Sequence, residues 1–374
     1  MKGCFSCIFL GFLLTGGAAR AVVGTPVSCA VRAGAPGTVE IFWAASPGAR
    51  YLVEFTEDLR TEWAVDPCGP GVLRAVTNAL RAAVSVAGHA RFFRVLELPG
   101  EPPNPDPDYL VWLPPGTFMM GTPEEEQDRA KVDGPLTRVT LTQGYWLGKY
   151  EVTIDQYRAF LLAGGDPGGV DWADRDCPIL RDENFSLSGN NFGHRGDQPM
   201  VEITWAGAMA YCQWLTEVAR QEGRLPEGYA FSLPTEAQWE YACRAGTSTR
   251  YSFGDALDCP GASCVPCAAL DDYFWWCGNS GSMTHPVGLK RPNPWGLYDM
   301  HGNVWEWCWN FWEWRLPGGA QVDPLGPSDS RFRTRRGGSW ASFAKDCRSG
   351  LRFGGTPTGS IFSLGLRVAL VPQR

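Results

Sequence analysis

Residues 293–307, NPWGLYDMHGNVWEW, limit what this chain can fold into more than any other stretch. Trp295, Tyr298, Trp305 and Trp307 stand among carboxylates, amides and the permissive Gly296 and Gly302, with almost no aliphatic run. A core helix or strand is not written this way. Gly296 and Gly302 allow left-handed turns and close backbone approach. Asp299 and Glu306 offer hard oxygens, and the carbonyls between them could complete the shell that Ca2+ prefers. A tight aromatic loop whose Asp and Glu only cap turns is the competing reading.

The rest of the composition supports a loop-rich globular protein. Gly 45, Pro 29 and Trp 17 in 374 residues point to many turns, with aromatic rings filling the core in place of aliphatic layers. A chain of this length has room for two domains. Charged residues at 20% and hydrophobic residues at 44% exclude a disordered chain. A net charge of −7 without a long basic run excludes nucleic acid as a partner.

Residues 1–21 read as a signal peptide, with Lys2 at the start, the apolar run CIFLGFLLTGG and a small-x-small site at Ala19-Arg20-Ala21. The apolar run is too short to span a bilayer and no later one is longer, so no membrane span is expected after cleavage. The mature protein is expected to be secreted or periplasmic. Cys4 and Cys7 leave with the leader, so eleven of thirteen cysteines remain, and an oxidising compartment should pair most of them.

Residues 22–98 alternate in short bursts (VEIFWAAS, YLVEFTEDL, AAVSV, RFFRVLEL) separated by Gly and Pro, which predicts a small all-β sandwich acting as a spacer or docking module. Cys29 and Cys68 are its only cysteines and are expected to pair. Residues 99–108, PGEPPNPDPD, form a semi-rigid Pro-rich linker. From Tyr109 a second domain runs to the end. Thr153 is expected to start a helix with Asp155 in its first turn, and Glu151 before it to be a buried structural acid. Residues 170–197 read as an irregular insertion with Cys177 and His194. An amphipathic helix follows, with Ala208, Tyr211, Cys212 and Leu215 on its core face. Thr235 and Gln238 form a capping box for the next helix. Cys259, Cys264, Cys267 and Cys277 could hold zinc, but export favours disulfides. His285 and His301 read as hydrogen-bonded structural groups.

Three blocks carry a resemblance: FSLPTEAQWEYACRAGT at 231–247, GLYDMHGNVWEW at 296–307 and RGGSW at 336–340. Together and in this order they resemble the formylglycine-generating enzyme, or sulfatase-modifying factor, family from about Tyr109 onward. The resemblance implies an α+β domain related to C-type lectins and poor in regular structure. It implies a Ca2+ held by the side chains of Asp299 and Glu306 and the carbonyls of Gly302 and Val304, with Asn279 in a second calcium loop. The family enzyme oxidises a cysteine of a sulfatase to formylglycine with O2 and Cu(I) held by two thiolates. Those thiol positions fall here at Ser342 and Cys347, Ser339 matches the serine beside the metal, and Trp305 a pocket-lining aromatic.

A hydroxyl is a hard ligand and cannot replace a thiolate for Cu(I). Cys212 and Cys243 match positions disulfide-bonded in the family enzyme, but their partner positions here are Arg352 and Val368. Each therefore needs another mate, for which Cys347 is one candidate. The related sulfoxide-forming enzymes bind iron through three histidines, and none of His89, His194, His285 and His301 falls in their H-x3-H pattern. Two functions remain. One is a sulfatase-modifying oxidoreductase with an incomplete copper site. The other is a non-catalytic, Ca2+-stabilised binding or assembly protein for a sulfatase or another exported polypeptide.

Overall fold

The computed structural model describes residues 104–373, apart from 167, 169–195, 257 and 260, and before them the strands within residues 25–97. The leader, the Cys29–Cys68 link, Cys177 and His194 lie outside the described residues. The chain divides into two compact units, residues 1–102 with 114–118, and residues 103–113 with 119–374.

In the first unit, β1 (Thr25–Val27), β8 (Phe92–Glu97), β4 (Arg50–Thr56) and β5 (Ala64–Val65) form one sheet in that order, and β6 (Val72–Arg74) also pairs with β4. A second sheet runs β2 (Cys29–Ala33), β3 (Thr38–Ala44), β7 (Ala79–Ser85). All these pairings are antiparallel.

The second unit combines short sheets with few helices, as its Gly and Pro content leads one to expect. Strand β9 (Leu110–Leu113) comes first in it, and β10 (Gly116–Met120) runs across the division of the chain at residues 118 and 119. β11 (Thr137–Leu141) pairs in parallel with β15 (Gly319–Val322). One four-stranded sheet has the order β13 (Tyr229–Ser232), β19 (Ala369–Pro372), β12 (Tyr145–Gly148), β9. Another has the order β17 (Phe353–Gly355), β16 (Arg333–Arg336), β14 (Trp305–Phe311), β18 (Leu364–Gly365).

The helices start where the caps predict. Thr153 caps α1 (Ile154–Leu162) and Thr235 caps α3 (Glu236–Arg244), each in a reciprocal capping box with Gln156 and Gln238. Thr204 caps α2 (Trp205–Gln221), which buries Ala208, Tyr211 and Cys212 while Leu215 packs at the edge of the same core. Aromatic rings fill that core. Tyr157, Phe160 and Tyr211 pack with centroids 5.2–5.8 Å apart, a spacing at which edge-to-face and offset pairs gain beyond area burial.

Charged side chains join α3 to the C-terminal sheet inside the protein. Glu240 accepts from Arg244 at 2.8 Å and also from Arg336, and Glu236 accepts from Arg352 at 2.6 and 2.8 Å. These acids offset the burial of the Arg336 and Arg352 charges, which without such partners would cost roughly several kcal/mol per ion. No helix among the described residues is long and apolar enough to cross a membrane.

Candidate functional site

The central loop is held by its own polar side chains. Asn293 accepts from the backbone N–H of Trp295 and Leu297 and donates to the Ala242 carbonyl at 2.7 Å, which ties the loop to α3. Gly302 has φ +79, and a Cβ there would stand 2.0 Å from the Trp275 carbonyl oxygen, so only glycine fits. Asp299 and Asn303 also adopt left-handed backbone, φ 56 each, a conformation Asn and Asp tolerate best after glycine.

Three buried carboxylates surround this loop. Glu151 accepts from the Asn303 amide at 2.7 Å and the Val304 N–H at 3.1 Å, so it is the structural acid its position suggests. Asp299 Oδ2 accepts from Gly288 N–H at 2.7 Å, whereas its Oδ1 is buried without a partner. Glu306 accepts from Trp239 Nε1 at 2.6 Å and from Arg367 Nε and Nη2 at 2.8–3.1 Å. Arg367 also donates to the carbonyls of Gly148 and Tyr298. Burial pushes Asp299 up to about 6, and burial plus the neighbouring Asp299 and Glu306 charges raise Glu151 well above the usual carboxylate range.

This arrangement fits the calcium set in part. Three carboxylates gather near one buried guanidinium that pairs directly with Glu306 alone, and the free Oδ1 of Asp299 is a hard oxygen of the kind a cation takes. Glu306 does not fit. A carboxylate has about four lone-pair sites, and three N–H groups, Trp239 Nε1 and Arg367 Nε and Nη2, already occupy most of them. Among the described residues, no three His, Cys, Asp or Glu side chains come together as a metal site. A cation at Asp299 would therefore lean on backbone carbonyls such as those of Gly302 and Val304. Asn279 spans a turn instead, accepting from Trp276 N–H and donating to Asp271 and the Phe274 carbonyl.

The two positions matched to copper ligands behave differently from each other. Ser342 Oγ accepts from the Ser339 N–H and lies 3.0 Å from Ser339 Oγ, and Ser342 N–H donates to the Ser339 carbonyl, closing a serine turn. Cys347 is a fully buried free thiol whose pKa burial raises well above normal; its Sγ donates to the Phe343 carbonyl at 3.6 Å and also faces the Ser339 backbone N–H. One hydroxyl engaged in a turn and one protonated thiol do not fit Cu(I). Trp305 is buried beside Phe353, with ring centroids 6.1 Å apart.

The cysteines correct one expectation and meet another. Cys347 pairs with neither Cys212 nor Cys243; all three, and Cys308, are free and buried. The reason for the first is placement, since Cys212 lies in the main aromatic core while Cys347 lies in a smaller cluster with Tyr251, Phe274 and Trp276. Cys243 Sγ instead faces the Met300 carbonyl and the His301 ring. The cluster at 259–277 holds two disulfides, Cys259–Cys267 and Cys264–Cys277, and no zinc thiolates.

His301 and His285 are structural, as read. The His301 ring lies 2.7 Å from the Cys347 carbonyl through Nδ1, which acts as donor, and Nε2 accepts from the Ser252 N–H; burial lowers its pKa to about 4 and keeps it neutral. His285 stacks on Trp275 and bonds the Ser280 carbonyl. The buried arginines Arg336, Arg348, Arg352 and Arg367 escaped the sequence reading. Their signal was available: arginines placed within the Gly- and Leu-rich closing segments rather than at turns.

A glycine-pivoted loop clamped by Glu151, Asp299, Glu306 and Arg367, set on several short sheets with few helices, defines a sulfatase-modifying-factor type of domain. The chain belongs to that family: residues 96–371 match the sulfatase-modifying factor enzyme 1-like domain. It is similar to the formylglycine-generating enzyme of Mus musculus, 27% identical over 330 residues, which covers 76% of this chain and 82% of that protein. Among solved structures it is similar to PvdO from Pseudomonas aeruginosa, with a TM-score of 0.55, 27% identity and coverage of 70% of this chain and 93% of that one. It is also similar to Treponema denticola variable protein 1, with a TM-score of 0.53, 26% identity and coverage of 70% and 94%.

Proposed function

We propose that this chain is an exported binding or assembly protein that uses the sulfatase-modifying-factor fold without copper-dependent cysteine oxidation. The observation that carries the reading is the pair Ser342 and Cys347. The chemistry assigned to those positions asks for two soft thiolates, and the chain offers a hydroxyl bonded to Ser339 and a buried thiol held protonated. The partner class is an exported polypeptide, a sulfatase among them, a reading supported by the resemblance of residues 1–21 to a signal peptide. Calcium, in this reading, sits at Asp299 and supports the loop without taking part in chemistry.

The second reading, a sulfatase-modifying oxidoreductase, is favoured by the names of similar proteins such as the mouse formylglycine-generating enzyme. One assay separates the two. A Cys-x-Pro-x-Arg peptide is incubated with copper-loaded protein and reductant in air and followed by mass spectrometry. An unchanged peptide mass is expected. Conversion of its cysteine to formylglycine would overturn the binding-protein reading and assign the missing ligand to another residue.

A further inference from the structure

The fully buried arginines of this domain differ from two half-buried ones. Arg244, Arg250, Arg336, Arg348, Arg352 and Arg367 each pair with a carboxylate. Arg333 and Arg335, two residues apart on β16, pair with none among the described residues. The strand alternates, with Thr334 and Arg336 buried inward and Arg333 and Arg335 on the opposite, half-exposed face. Arg333 lies flat between Trp205 and Phe311, 3.7 and 3.6 Å from the ring centroids. Arg335 meets the rings of Trp305 and Phe353 at 5.1 and 4.7 Å from one side of that pair, whose own centroids are 6.1 Å apart.

Such stacking orients a guanidinium and removes water from its faces but leaves its N–H edge unused. Arg333 spends one N–H on the Trp309 carbonyl at 2.6 Å, and the Nε of both arginines is buried without an acceptor. An outside acceptor cannot reach those Nε atoms, but Arg333 Nη2 and both Nη atoms of Arg335 are neither buried nor bonded among the described residues, and these are the donors a ligand can meet. Burial lowers the pKa of both guanidiniums, and no carboxylate offsets it. In a chain of net charge −7 the acids to pair them are not scarce. Among the described residues none pairs with either of these two guanidiniums.

We propose that Arg333 and Arg335 form a binding site for an extended acidic polypeptide segment of a partner. Residues i and i+2 of a strand present side chains roughly 6.5–7 Å apart on one face. Carboxylates on alternate residues of an extended peptide have the same spacing, and each guanidinium fork takes one of them bidentately. Phe353, 50% exposed and registered opposite Arg335, offers an apolar ring to the residue next to a carboxylate. A sulfated glycan fits less well, because it asks for a longer basic track than two arginines walled by aromatic rings. The inference goes beyond the reading above and would hold equally for an oxidase.

The test uses the full chain and isothermal titration with a peptide of alternating Val and Glu, its Val–Gln counterpart and heparin. Saturable binding of the Glu peptide, weakened by salt, is expected, with no binding of the Gln peptide. Arg333→Gln with Arg335→Gln should weaken the Glu peptide about tenfold or more, through loss of two charge-assisted pairs. Arg335→Lys keeps a charge but loses the fork, so it should weaken binding severalfold; it also serves if the double variant does not fold. Equal affinity in variant and parent, equal binding of the Gln peptide, or binding of heparin alone would overturn the proposal.

Discussion

Replacing Glu306 by Gln tests whether this carboxylate serves Arg367 or a metal. Glu306 and Arg367 are 1% and 0% exposed, and their bidentate contact is the only carboxylate pairing Arg367 has among the described residues. The amide would keep an acceptor for Trp239 but point donors at the guanidinium. Removing one partner of a buried pair costs about 3–5 kcal/mol. That is a large part of the roughly 5–15 kcal/mol of a whole domain. At about 2–4 °C per kcal/mol for a domain of this size class, the melting point should fall by about 10 °C. Glu306→Gln with Arg367→Met removes both charges and should cost less than the sum of the single changes, by about 1–3 kcal/mol of coupling. Urea melts with chelator and with added calcium read all four proteins. The loss should be the same in both conditions. A loss confined to calcium-containing buffer would make Glu306 a metal ligand and refute the assignment to Arg367, as would a cost under about 1 kcal/mol.

Three further outcomes follow from neighbouring residues. If a cation sits at Asp299, calcium should raise the melting point with concentration and Asp299→Ala should abolish the rise; no shift with chelator and no calcium by elemental analysis would count against the site. His301 has a folded pKa lowered to about 4 from an ordinary 6.5, so the unfolded chain binds the extra proton between these values. Its stability contribution is full above about 6.5 and is lost as pH falls towards 4, by about 3 kcal/mol. The difference in stability between the protein and His301→Gln should therefore shrink in acid, and a flat difference would refute the buried neutral state. Peptide mapping without reduction should find Cys259–Cys267 and Cys264–Cys277, and mild reductant should open the second first because Cys264 is exposed while Cys259 is buried. Four free thiols with bound zinc would contradict both.

Much of the second unit was legible because local chemistry decides it. The capping boxes at Thr153 and Thr235, the buried face of α2 and the glycine pivots of the central loop each follow from a few adjacent residues. Glu151 was readable as a structural acid because the segment GKYEVT around it is generic to the family. What escaped depends on residues far apart in sequence. Glu306 meets Arg367 across 61 positions, and Glu240 meets Arg336 across 96. Nothing in WEW announces that its carboxylate is already spent on an arginine near the C-terminus. The mates sought for Cys212 and Cys243 were not found for a similar reason: Cys347 was a candidate by its order in the chain, whereas packing puts it in a different cluster from Cys212.

The fold does not need the chemistry once associated with positions 342 and 347, and this makes Ser342→Cys informative. Ser342 contributes one turn bond to Ser339 N–H and one hydroxyl contact, each 3.0 Å. A thiol accepts more weakly, so the change should cost about 1 kcal/mol and leave the fold intact. It supplies a second soft donor five residues from Cys347, which is free rather than tied to Cys212 or Cys243. Both thiols must lose protons to bind Cu(I), and burial raises the Cys347 pKa well above normal, so the gained affinity should increase with pH. Competition with a colorimetric Cu(I) chelator at two pH values measures it. The unmodified protein should compete feebly at both, and Ser342→Cys strongly at the higher one. If the unmodified protein competes as well as the variant, the two-thiolate argument fails, and the ligand that holds copper is neither of these residues.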